Sequence, residues 1–249
     1  MLPQLPFDPE FLKSFSKNTE YMLSSAQKAV ETAQLAFNVY FNSIRNIPES
    51  TKILAEKGWY LPLDFHPVEV NRMASHIKEG NSHIVDADMI IFIDDELANI
   101  QDQINKKFPK RSSVINAGIR AHKEQEYYLS IPVFFTQIEG ICKDLTGKRF
   151  FRIKAKEPLT KEWAKNFEGD IVIKLLLEPL SYSGPMRQPQ DFNNPIGINR
   201  HDILHGNCVD YGDSKINGYK VLSLLNYIGS TVFEAKQYLD KEGFQESNK

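Results

Sequence analysis

At 249 residues the chain has enough material to bury a real core, as one large domain or two smaller ones. A formal net charge of −2 excludes a globally basic surface for long nucleic acid, so any RNA or DNA contact has to come from a local basic site or from a subunit interface. Two cysteines, Cys142 and Cys208, are too few for a disulfide framework and point to a reducing compartment.

The segment Met1 to Pro6 has no basic region leading into an apolar one, as a secretory signal requires, and no uncharged apolar run is long enough to span a bilayer. The expectation is a cytoplasmic protein without membrane contact. After Asn18, the positions Met22, Ala26, Ala29, Ala33, Phe37, Tyr40, Phe41 and Ile44 recur every three or four residues and predict a helix that Pro48 closes. Gly58 to Leu63 (Gly-Trp-Tyr-Leu-Pro-Leu) is short and broken by proline, and reads as an extended connector. A further helix carries Met89, Phe92, Ile93, Leu97, Ile100, Ile104 and Phe108 on one face and ends before Pro109. Its acids Asp94, Asp95 and Glu96 read as a solvated face, because a metal site needs ligands converging from other elements.

From Ser112 the helical spacing resumes with Val114, Ile115, Ile119 and His122. It continues through Tyr128, Ile131, Phe134, Phe135, Ile138, Ile141, Cys142 and Leu145, with Pro132 kinking or restarting it and Gly147 ending it. Lys148 to Lys156 mixes basic and aromatic residues; the reading preferred over an RNA-contacting strip is a short strand or loop with buried aromatics. Ile171 to Leu177 is apolar enough to be core, and Ser181 to Pro195 is loop by its Ser, Pro, Gln and Asn content. Asn194-Pro195 looks like a helix start, and a last amphipathic helix buries Val221, Leu224, Leu225, Ile228, Val232, Ala235 and Leu239. With no convincing alternating strands, the fold class is all-α.

The densest chemistry lies between Asn199 and Gly206, where Arg200, His201, Asp202 and His205 follow Asn199. Two readings compete. His201-Asp202-x-x-His205 has the i, i+4 histidine spacing of a helical zinc site, with Asp where a zincin carries Glu, but Gly206 ends the helix and no third ligand follows. Alternatively, Arg200 and His205 act on phosphate without metal. A guanidinium stays charged and matches phosphate oxygens in a bidentate way, and an imidazole serves as base or acid near neutrality. A purely structural use of both residues, in an ion pair and a helix cap, is the third possibility.

This Arg-x4-His pattern, followed by glycine near the end of a helical chain, resembles the HEPN superfamily (higher eukaryotes and prokaryotes nucleotide-binding domains), and within it abortive-infection and toxin proteins. The resemblance covers the motif and, loosely, the helices from about Ser112. It implies a helical bundle in residues 110–249, with residues 1–109 as additional N-terminal helices of unassigned role. It implies a metal-independent endoribonuclease that cleaves RNA by attack of the 2′-hydroxyl, in a toxin or antiphage effector with a possible neutralising or trigger partner. Arg200 and His205 would be the catalytic pair, with no cofactor or metal. His201 occupies the polar slot after the arginine and Asn199 precedes it, both in auxiliary positions. The active form would be a homodimer whose two motifs meet in a composite site, with the motif helix and the last amphipathic helix at the interface. Some members are silent binding or dimerisation modules, which stays an alternative.

Overall fold

Why helices dominate is visible in the apolar spacing itself. The computed structural model describes residues 9–62, 65–182, 184–187 and 198–246. It is 77% helical with a single two-stranded sheet among the described residues, which makes the class all-α. The helices are α1 (Pro9–Glu56), α2 (Pro67–Lys78), α3 (Ser82–Lys107), α4 (Ser112–Lys123), α5 (Tyr127–Thr146), α6 (Thr160–Ala164), α7 (Ile171–Leu177), α8 (Arg200–Leu204), α9 (Lys215–Tyr227) and α10 (Phe233–Glu246). The chain divides into two units, residues 1–45 and residues 46–249.

In the first unit the described residues form the N-terminal part of α1. Phe37 and Phe41 stack one turn apart, and the Arg45 guanidinium lies 5.1 Å from the Phe41 ring centre. Pro48 does not close this helix, contrary to the spacing argument; α1 runs on to Glu56. The proline removes one N–H from the ladder, but burial of Ile47, Leu54 and Ala55 holds the following turns in place. The Thr51 hydroxyl also donates to the carbonyls of Ile47 and Pro48.

In the second unit α5 is the central element, packed against α4 and α9, with α3 against α9 and α4, and α2 against α3. Ile131, Phe134, Phe135, Ile138, Ile141 and Cys142 of α5 are fully buried. Gly118 of α4 permits the close approach, since a Cβ there would lie 2.7 Å from Phe134 Cε1. The break before α5 falls at Glu124–Glu126, with Gln125 at φ 60°, and Pro132 sits inside α5. The carbonyl that Pro132 leaves without its helical donor is that of Tyr128, and the Tyr211 hydroxyl donates to it at 3.0 Å.

The connector is not helical, as its sequence implies: Gly58 turns the chain out of α1 at φ 87°, residues 59–62 lie in no helix or strand, and Leu63 lies outside the described residues. Trp59, Tyr60 and Leu61 are buried; Trp59 Nε1 donates to Asp86 and Tyr60 N to Ser223 Oγ. Lys148–Lys156 turns out as the aromatic-burying alternative: Phe150 is core, Phe151 is half-buried, and a hairpin pairs Ile153 with Pro158 and Lys154 with Glu157. Its turn residues Ala155 and Lys156 both have positive φ, the conformation a tight two-residue hairpin requires. In α7 Leu177 is core, while Ile173 and Leu175 are partly buried against it. The last predicted helix is two, α9 and α10, joined by a π turn over Ile228–Val232. Its predicted core positions from Val221 to Ala235 are buried and Leu239 partly so. From Gly218 to Tyr227 every residue of α9 is buried within its own chain except Lys220. Of the two helices that replace the single predicted one, α10 is the one with exposed positions, among them Glu234, Gln237 and Asp240.

Candidate functional site

The motif helix α8 is only five residues long, so its position is set by its ends and its two apolar contacts. The predicted start at Asn194-Pro195 lies outside the described residues; the observed N-cap is Asn199. Its backbone is extended, and its side-chain Oδ1 accepts from His201 N at 2.9 Å and Asp202 N at 3.3 Å. Its Nδ2 donates to the Pro185 carbonyl, and Arg200 N donates to the Met186 carbonyl, so the helix start is bound to the 184–187 turn. Ile203 is buried and Leu204 half-buried where α8 meets α5. At the far end His205 N donates to His201 O, Gly206 takes φ 76°, and Asn207 N and Cys208 N both donate to Asp202 O.

Successive side chains on this helix are separated by about 100°. Arg200 therefore shares a face with Leu204, and His201 shares the next with His205. The structure brings the two histidines together: both are exposed, with ring centres 4.3 Å apart. Arg200 leans the other way, its guanidinium 5.9 Å from the Phe151 ring centre and its Nε buried without a partner. Among the described residues no carboxylate forms an ion pair with Arg200, His201 or His205. Asn199, in contrast, is committed to holding the helix. Asp202 is buried, with Oδ1 unpaired.

The loop after the motif is fixed from outside. Tyr211 packs edge-on against Tyr128, Asn217 Nδ2 donates to the Tyr211 carbonyl, and the Tyr128 hydroxyl donates to Asp213. That carboxylate pushes the Tyr128 phenol up to about 12. Cys208 donates to Asp210, and burial together with this bond raises its thiol, which makes it a poor nucleophile. For the zinc reading, the two imidazoles are close enough to share an ion. Yet among the described residues no group of three or more His, Cys, Asp or Glu side chains converges on one point.

Sequence reasoning missed Arg187. It is buried, with its guanidinium 3.4 Å over the Phe150 ring, and Nη1 donates to Thr160 Oγ1 and to the Leu180 carbonyl. Nε and Nη2 have no partner, and burial lowers its basicity. Two arginines thus stand on consecutive phenylalanines, Arg187 on Phe150 and Arg200 on Phe151, and the turn of the first bonds the backbone of the second. An arginine in a Ser- and Pro-rich stretch reads as solvated, so nothing local in the sequence marked it.

No family model matches the chain, and no curated protein or solved structure matches it.

Proposed function

We propose that the protein is a metal-independent endoribonuclease of the HEPN kind, with Arg200 and His205 as the catalytic pair and His201 beside them. The observation that carries this reading is an arginine that pairs with no carboxylate among the described residues, on the same turn of helix as two exposed, adjoining imidazoles. RNA supplies its own nucleophile. One imidazole takes the proton of the 2′-hydroxyl while the 2′-oxygen bonds to phosphorus. The bond from phosphorus to the 5′-oxygen breaks, and a second imidazole returns a proton to that oxygen. The guanidinium bears on the non-bridging oxygens, whose charge grows in the transition state. His201, or the His205 of a second copy in a composite site, supplies the second imidazole. The role of a toxin or antiphage effector held by a neutralising or trigger partner belongs to the same proposal.

The lean of Arg200 onto Phe151, on a face neighbouring that of His205, favours a second reading: a catalytically silent HEPN-like module that only binds. One experiment separates them. Purified full-length protein is incubated with RNA in excess chelator and the product ends are mapped. The ribonuclease reading expects cleavage to persist and to leave 2′,3′-cyclic phosphate. It also expects Arg200→Ala and His205→Ala to abolish cleavage without lowering the melting temperature, since neither truncation orphans a buried partner. Bound zinc with activity lost on chelation overturns it, as does an inactive wild type whose Arg200→Ala variant is destabilised.

A further inference from the structure

The N-terminal helix carries a pattern finer than amphipathicity. Leu23, Ala26, Val30, Ala33, Phe37, Tyr40, Ile44 and Ile47 are spaced alternately three and four residues apart without a break, which is a heptad repeat with all its a and d positions apolar. The same register continues through Thr51 to Leu54, and there Ile47 and Leu54 are buried in the core of residues 46–249. From Leu23 to Phe37 the seam is open, with Leu23, Val30 and Phe37 65%, 64% and 65% exposed; Tyr40, next along it, is 46% exposed. Met22 and Phe41 flank it, also exposed. Six large apolar side chains open to this degree put on the order of 600 Å² on one stripe. Two such stripes pressed together bury about 1,200 Å², where stable interfaces begin.

The geometry points to a second copy of this chain as the occupant, paired antiparallel with Val30 against the partner's Ala33. The seam is shaped to fit its own reverse. In that register Leu23 meets Tyr40, Ala26 meets Phe37, and Val30 meets Ala33, each layer appearing twice about the two-fold axis. Two of these three layers set a larger residue against an alanine and no alanine faces an alanine, so the layers differ less in bulk than in a parallel pair. A parallel, in-register pair instead stacks Phe37 on Phe37 and Tyr40 on Tyr40 while Ala26 and Ala33 face their own copies, leaving crowded layers beside empty ones. The flanking positions Met22, Gln27, Ala29, Gln34, Ala36 and Phe41 carry no charge. Charge at such flanks is what selects a foreign partner or a parallel orientation, so shape decides here. The stripe runs about 27 Å from Leu23 to Tyr40 at helical rise.

The test is made on the full chain in a Cys208→Ser background, leaving Cys142 in the core. Sedimentation equilibrium at tens of micromolar is expected to show a dimer, and Phe37→Asp to weaken it by more than about tenfold. Because Phe37 is exposed, that variant should keep the thermal transition of the 46–249 body, which verifies that folding is not at issue. For orientation, protein carrying Val30→Cys is mixed with protein carrying Ala33→Cys under oxidation. The expected product is the mixed disulfide, with little self-linked dimer of either variant alone. A strictly monomeric wild type, a dimer indifferent to Phe37→Asp, or self-linking of Ala33→Cys as fast as the mixed product overturns the proposal.

Discussion

His122 offers the sharpest test of how this core is built. It lies on α4 with both ring nitrogens buried and unpaired, enclosed by Tyr127, Phe134 and Tyr219 with ring centres 5.4, 6.1 and 4.6 Å away. Burial pushes the imidazole down from 6.5 to about 4, against a smaller opposing pull from Asp94, which is itself held by the Tyr219 hydroxyl. Folded protein thus keeps the ring neutral while the unfolded chain takes up a proton below 6.5, so stability falls as pH drops from 6.5 towards 4 and is complete above 6.5. The shift corresponds to about 3 kcal/mol across that window. His122→Leu keeps an apolar side chain of similar size and removes two buried nitrogens that bond nothing. It should therefore be at least as stable as wild type near neutrality and should flatten the pH dependence on the acid side. Urea unfolding of wild type and variant through the acid range measures this directly. A variant with the same acid slope as wild type would refute the argument, because the slope would then belong to other groups.

Two further outcomes are specific. Asn199→Ala removes the cap of α8 and its bond to Pro185, and is expected to cost about 1–2 kcal/mol by chemical denaturation, whereas Arg200→Ala and His205→Ala cost little; equal losses for all three would erase the distinction between cap and site. Tyr211→Phe deprives the Tyr128 carbonyl of the tyrosine donor and should cost about 1–2 kcal/mol, but less in a Pro132→Ala background where the helical N–H returns; strict additivity of the two changes would show that the hydroxyl is not filling the gap left by proline.

The helical class and most core positions of α3, α5 and α9 were legible because they follow a single local rule, apolar residues recurring at helical period; Tyr128, which fits the pattern, is exposed. Glycine ends were legible for the same reason: Gly147 and Gly206 both take the left-handed cap their positions imply. What the pattern could not show was anything decided by long-range contact. Pro48 stays inside a helix because Ile47 before it and Leu54 after it are buried. Pro132 is tolerated because a tyrosine nearly eighty residues away supplies the missing hydrogen bond. At the motif, the cluster of residues was visible in sequence but their placement was not. Asn199 looks like chemistry in sequence and is a cap in space, and His201 stands closer to His205 than its label as an accessory implies. Arg187 was invisible because burial of a cation depends on a Phe150 face that no local spacing announces.

That buried cation bears on how the 184–187 turn opens. Away from the Phe150 ring and the oxygens of Thr160 and Leu180, a half-docked guanidinium would have shed its water and gained nothing in return. Intermediate positions of the turn are therefore the least favourable ones, and it is either fully seated or fully released. Since Pro185 and Met186 hold the first residues of α8 through its backbone and cap, the motif helix inherits this two-position character. Its amide protons should exchange with solvent together, at one rate shared with the turn, and not by fraying from an end as a lone five-residue helix would.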